Sequence, residues 1–281
     1  MTGRALVLGG GGVTGIAWEL GILKGLLDAG LDLSSADLVV GTSAGSVVGS
    51  QASDGNDLGE LVEMQRSPAL AARERTVDFD LERMAAAFTG LMQGVRSPRE
   101  LRARIGALAL MAPTVSESER LAIITSRLPR HEWPARRLLI TAVDTATGDP
   151  VVWDRDAGVP LVLAVAASCA VPGVWPPVTV DGRRYMDGGV RSGTNADLAA
   201  GHGVVVILAP IVGNLLGGSL DEEIASLGPE AKVLVVSPAP AALEAIGPNP
   251  LDLSRRAPAV AAGLAQASSV AEAVRHTWAT R

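Results

Sequence analysis

The sequence predicts an α/β domain whose parallel strands are buried on both faces, interrupted by a helical insertion. Three observations predict it. Short, uniformly apolar runs such as ALVL (5–8), LVV (38–40) and VVVIL (204–208) read as strands covered on both sides. Segments with helical spacing alternate with them. Between about residues 54 and 136 the strand signals stop, and arginine, glutamate and helical periodicity take over.

The elements follow in order. RALVLGG (4–10) is a strand ending in glycine, and the helix after it places Ile16, Leu20, Leu23, Leu26 and Leu27 at helical spacing before Gly30 ends it. DLVVGTSAG runs from a strand over Leu38 to Val40 into a glycine-bounded turn, and residues 43–53 read as a second helix. In the insertion, helices are expected over 78–92, over 97–111 with Ser97 as cap and Pro98 first, and over 114–128 with a Ser or Thr cap and early acids. Strands return at 137–144 and 150–154, and 159–168 reads as a buried helix. VTVDGRRYMDGG (178–189) is strand, Asp-Gly turn, strand. Strands at 203–210 and 232–238 and a closing helix from Pro258 to Ala279 complete one domain over 1–281.

Composition narrows the function classes. Nearly half of the 281 residues are apolar, which supports a sizeable core and excludes global disorder. A net charge of −6 argues against nucleic acid as partner. Residues 66–137 nevertheless hold thirteen arginines against eight acids, either a solvated helical face or a basic surface for an anionic lipid or substrate. One cysteine, Cys169, forms no internal disulfide and points to a reducing, cytoplasmic setting. The N-terminus has no leader pattern. Residues 157–180 are apolar and long enough to span a bilayer, but Pro160, Pro172, Pro176 and Pro177 break the run, so no transmembrane span is expected.

Two glycine-rich turns carry the chemistry. Gly10, Gly12 and Gly15 fit a dinucleotide fingerprint between strand and helix. That fingerprint needs an acid at the end of the next strand, which here ends in Gly41, Thr42 and Ser43, with Asp37 at its start. Consecutive glycines at a helix start serve equally well as amide donors to an oxyanion; the plain alternative is a turn with no ligand. GTSAG (41–45) is G-x-S-x-G between strand and helix, the pattern of a sharp turn that exposes a nucleophile, with Gly41 and Gly45 allowing close backbone approach. Ser43 is the candidate nucleophile, or else a helix cap.

A serine nucleophile needs a base. His131, His202 and His276 are available, and Ser43, Asp187 and His202 or His276 would run in hydrolase order. Only one strand precedes the nucleophile strand, which fits that architecture poorly. The better candidate is Asp187 acting directly, since Gly188 and Gly189 let it sit tight against another backbone. Taken alone, a turn-capping aspartate is the simpler account of that position.

GGGGVTG (9–15), GTSAG and DGG (187–189), in this order, together with ASCAVPGVWPPV (167–178), resemble the patatin-like phospholipase family over about residues 5–200. The resemblance implies a three-layer α/β/α sandwich with a mostly parallel sheet. It implies a Ser43–Asp187 dyad without histidine, with oxyanion amides from Gly10, Gly11 and Gly12, and Gly15, Gly41, Gly45, Gly188 and Gly189 in support. It further implies hydrolysis of phospholipid or other fatty-acyl esters, with contact at a lipid surface, and needs no cofactor or metal, although some relatives are calcium-dependent. The insertion would then cover the serine and shape acyl access. One position departs: where the family's loop has Arg or Lys before its last glycine, this chain has Thr14. A non-catalytic lipid-binding module on the same fold and a nucleotide-dependent oxidoreductase are the alternatives.

Overall fold

A computed structural model describes residues 3–53, 55–67, 74, 75, 77, 79, 81–211 and 219–279. Among the described residues eight strands form one mixed sheet: β1 (Arg4–Leu8), β2 (Leu38–Gly41), β3 (Arg137–Asp144), β4 (Pro150–Trp153), β5 (Val178–Val180), β6 (Arg183–Asp187), β7 (Val204–Leu208) and β8 (Lys232–Val236). The order is β5-β6-β3-β2-β1-β7-β8, with β4 paired to β3 off this path. The block β3-β2-β1-β7-β8 is parallel, whereas β4, β5 and β6 add antiparallel pairs at the β3 side.

Strand alternation sends side chains to two covered faces. Leu6, Leu8, Val39, Ile140, Val206 and Leu208 join the larger core, beneath α1 (Gly12–Asp28), α2 (Ala44–Ala52) and α3 (Leu58–Arg66). Ala5, Val7, Leu38, Val40, Val205 and Ile207 pack on the other face. Described helices α4 (Leu81–Leu91) and α5 (Pro98–Met111) join that second layer through Phe88, Leu101 and Ile105 against Val143 and Met186. The remaining helices are α6 (Glu117–Arg127), α7 (Leu161–Ser168), α8 (Leu220–Ser226), α9 (Pro240–Ile246) and α10 (Arg256–Trp278). The three-layer α/β fold expected from the sequence is the one observed.

Local chemistry explains most boundaries. Ser97 accepts from the Glu100 amide with Pro98 first in α5, and Ser116 with Glu119 closes a capping box on α6. Asp181 and Gly182, both at positive φ, make the two-residue turn between β5 and β6. The apolar run 157–180 divides into α7, a loop and β5, and no described helix is long and apolar enough to cross a membrane. Helices α3, α8 and α9 are additions to the sequence reading, and the expected start of α4 at Asp78 lies outside the described residues. Helix α10 begins two residues before Pro258, whose missing N–H falls in the first turn and costs no helical bond.

One contact ties the two glycine motifs together. The Gly45 N–H donates to the Gly9 carbonyl at 3.0 Å, and a Cβ on Gly45 would run into the Leu8 carbonyl. Gly45→Ala is therefore expected to destabilise the domain by about 3 kcal/mol or more, read as a lowered midpoint in denaturant titration.

Candidate active site

The parallel register brings Leu8, Gly41 and Leu208 side by side at the carboxyl ends of β1, β2 and β7, where ligand sites of such sheets form. The glycine loop leaves β1 there, and the Ser43 turn leaves β2. Gly10 lies against the serine: a Cβ built on it would stand 3.5 Å from the Ser43 Cβ. Helices α1 and α2 both start at this edge, so two positive helix ends converge on it.

Ser43 sits at φ 52°, ψ −113°, a conformation that costs a non-glycine residue about 1–3 kcal/mol and needs support from its surroundings. Its N–H donates to Ser168 Oγ at 2.9 Å, while its carbonyl accepts from Ser46 Oγ at 2.7 Å and from Cys169 Sγ at 3.2 Å. Asp187 ends β6 opposite Ala142 of β3, and its N–H donates to the Ala170 carbonyl at 3.0 Å. Serine and aspartate thus hang on one three-residue segment, Ser168 to Ala170, at the end of α7.

The Asp187 carboxyl is buried, with Oδ1 accepting from the Gly189 N–H at 2.7 Å and Oδ2 without a hydrogen-bond partner among the described residues. Burial pushes its pKa up to about 7; the Gly189 amide, the Ser43 hydroxyl and the Arg120 guanidinium pull the other way. The serine hydroxyl is thus close enough to act on the carboxyl, yet no well-aligned bond joins it to Oδ2. Catalytic hydrogen bonds are often loose before substrate binds. Gly188 explains the tight fit, since a Cβ there would strike Thr141 Oγ1.

The glycine amides divide in their commitments. The Gly9 N–H donates to the Leu208 carbonyl and the Gly10 N–H to the Gly193 carbonyl, at 2.9 and 2.8 Å. Gly10 is therefore spent as a donor, and its part is to leave room beside Ser43. The N–H groups of Gly11 and Gly12, at the mouth of α1, have no partner among the described residues. Gly12, at φ 61°, lies beneath the Pro250 carbonyl, where a Cβ would collide. Thr14 is fully buried, its N–H and Oγ1 both donating to that carbonyl at 3.2 and 3.3 Å, so this position anchors the loop.

Several supporting residues carry no signal in the sequence. Asn195, at φ 52°, donates from Nδ2 to Thr42 Oγ1 and to the Ser192 carbonyl, both at 2.9 Å, while Thr42 and Thr141 bond across β2 and β3 at 3.0 Å. This buried network steadies the strand ends that carry Ser43 and Asp187. Ser168 and Arg120 were equally silent. Arg120 is 2% exposed, stacks 3.9 Å over the Trp175 ring, and belongs with Gly12, Ser43, Cys169, Trp175 and Leu251 to the wall of a cavity of about 20 Å³. A roomier cavity of about 700 Å³, bounded by Met92, Leu101, Val190 and Glu222, contains neither Ser43 nor Asp187.

The histidines lie elsewhere. His202 abuts Gly3 at the opposite end of β1, His131 is exposed beside the Thr125 carbonyl, and His276 is two residues from Trp278, whose ring lies under Arg4. Asp37 accepts from the Arg4 N–H at that same far edge, which leaves the nucleotide reading without its ribose acid. Among the described residues no group of three His, Cys, Asp or Glu side chains is placed to hold a metal ion. Some arginines of the insertion are answered locally, as Arg66 pairs with Glu63, Arg99 with Asp149, Arg104 with Glu100 and Arg127 with Glu74.

Fold and site together define an α/β protein of the serine-elbow class. The sequence profile of the patatin-like phospholipase family matches residues 6–200. The chain belongs to that family. Over 202 residues it is 30% identical to an uncharacterized NTE family protein of Mycobacterium tuberculosis and to one of Mycobacterium bovis. The match takes in 69% of this chain and 47% of each relative, so the chain spans about half the length of these curated relatives. Among solved structures it is similar to VipD from Legionella pneumophila, with a TM-score of 0.48 and 14% identity, covering 97% of this chain and 67% of that one. It is also similar to the type III effector protein ExoU, with a TM-score of 0.43 and 15% identity, covering 97% of this chain and 53% of that one.

Proposed function

We propose that this chain is a serine lipid acyl hydrolase that cleaves fatty-acyl esters, of phospholipids or simpler alcohols, through a Ser43–Asp187 dyad. The observation that carries the reading is the pairing of a strained, buried Ser43 with a buried carboxyl near neutrality whose Oδ2 is free. Ser43 Oγ attacks the ester carbonyl while Asp187 takes its proton. The Gly11 and Gly12 amides receive the oxyanion, with Gly10 giving space. Collapse of the tetrahedral adduct expels the alcohol, which takes the proton from Asp187. Water, deprotonated by the same carboxylate, then releases the acid and restores Ser43. The reaction calls for no metal or cofactor. A cytoplasmic protein meeting its substrate at a lipid surface fits the single buried thiol and the exposed Leu110 and Met111 at the end of α5.

The cavity beside Ser43, about 20 Å³, is too small for an acyl chain, which favours a second reading: a module on the same fold that does not turn over ester at Ser43 and binds lipid elsewhere. A fluorophosphonate probe separates the two. Labelling of wild type but not of Ser43→Ala, together with release of fatty acid from an ester and phospholipid panel, is the expected result. Unlabelled native protein that still sediments with vesicles would establish the binding module.

A further inference from the structure

Helix α6 turns Arg120, Ile124 and Arg127 inward. Arg127 is fully answered by Glu74, through bonds of 2.6 and 2.7 Å. Arg256 reaches the same cluster from α10 and bonds Gln65 and the Met64 carbonyl. Arg120 has far less: one long contact of 3.5 Å from Nη2 to the Cys169 carbonyl, and the face of Trp175. Its Nε and Nη1 have no partner among the described residues. A guanidinium is costly to bury unpaired, and it normally comes with a carboxylate. Glu74 is bonded to Arg127, and its charge and that of Asp187 both act on Arg120 without a bond to it among the described residues. The glycine loop, with Thr14 buried against Pro250, carries no cation of its own.

We propose that Arg120 is the cation of this site: a positioning residue that braces the Ser168–Ala170 segment through Cys169 and sets its positive charge where it acts on Asp187 beside Ser43. The inference rests on the acyl-hydrolase reading. The groups facing Arg120 are Arg127 on α6 itself, Glu74, Cys169 after α7 and Asp187 on β6. Those facing Asp187 are the Ser43 hydroxyl, the Gly189 amide and Arg120, which makes Arg120 the charged group that favours the carboxylate there. Without it the base is protonated over more of the neutral range.

The test is the rate of fluorophosphonate labelling of the full chain from about pH 5 to about 9, in wild type, Arg120→Met and Arg120→Lys. Wild-type labelling is expected to rise with a midpoint near the Asp187 pKa of about 7. In Arg120→Met the midpoint is expected to move up by about one unit, with labelling at neutral pH slowed roughly fivefold. Arg120→Lys, which keeps the charge without the planar fork, is expected to restore the midpoint. A folded Arg120→Met with wild-type midpoint and rate overturns the proposal and leaves the hydrolase reading standing. Wild type that fails to label at every pH overturns both. Should Arg120→Met not fold, Arg120→Lys decides: a retained midpoint supports the charge role, and a folded Lys variant with displaced midpoint or no labelling refutes it.

Discussion

Ser43→Ala is expected to lower ester hydrolysis by about 10⁴-fold or more while leaving the domain folded, because it removes the nucleophile and nothing that the elbow rests on. The bonds that hold the turn come from the Ser43 backbone, to Ser168, Ser46 and Cys169, and alanine keeps them all. Asp187→Asn should cost a similar factor, since the amide fills the same space, can still accept from the Gly189 N–H, and has no basic oxygen to take the serine proton. His202→Ala and His276→Ala should retain activity, as the His202 ring lies beside Gly3 at the other end of β1 and His276 is exposed near the end of α10. Loss of turnover in either folded histidine variant would instead demand a triad. Ester turnover with circular dichroism on the same samples reads all four. Ser43→Gly offers a control on strain: it should be inactive yet more stable by about 1 kcal/mol, because glycine adopts φ 52° without penalty.

The second large effect concerns pH, and it sets activity against stability. Catalysis needs Asp187 ionised, so turnover should rise with pH through about 7 and level off above it. Stability should move the other way. The folded-state pKa is raised above the ordinary value of 3.8, so the folded protein binds the proton more tightly than the unfolded chain. That contribution is fully present below about pH 4 and is lost as pH rises through about 7. A shift of about three units corresponds to roughly 4 kcal/mol. Asp187→Asn never pays that ionisation cost, so its melting temperature at pH 8 should exceed wild type by about 5–10 °C, with the gap closing toward pH 4. Glu19, fully buried, with burial raising its pKa against a smaller opposing pull from the Gly9 amide, adds a pH slope of the same sign. The difference between wild type and Asp187→Asn isolates the aspartate. A flat difference across this range would mean that Asp187 is ionised throughout.

Much of the site was legible because its constraints are local. A serine forced to positive φ needs glycine on both sides, and Gly41 and Gly45 announce that within five letters. A carboxyl pressed against a neighbouring strand needs a bare Cα next to it, which Gly188 supplies below Thr141. The four-glycine run was legible as an amide source, but not the way its amides divide: the Gly193 carbonyl that claims Gly10 lies more than 180 residues away. The insertion shows the same limit. Its helices α4, α5 and α6 were readable one by one from caps and periodicity, α3 was not, and none of their destinations was. Helices α4 and α5 cover the far face of the sheet through Phe88 and Ile105, and α6 alone of the described insertion helices brings side chains to the Ser43 cavity.

By itself the sequence determined the α/β class, the two glycine turns, the nucleophile candidate and the acid candidate, since each depends on backbone geometry that adjacent residues dictate. Only the tertiary structure decided that Ser168, Cys169 and Ala170 hold serine and aspartate on one segment, that Thr14 is an anchor, and that Arg120 lines the cavity beside Ser43. An isolated serine, cysteine or arginine has no local pattern. Its meaning comes from burial and from the partner that folding brings within a few ångströms.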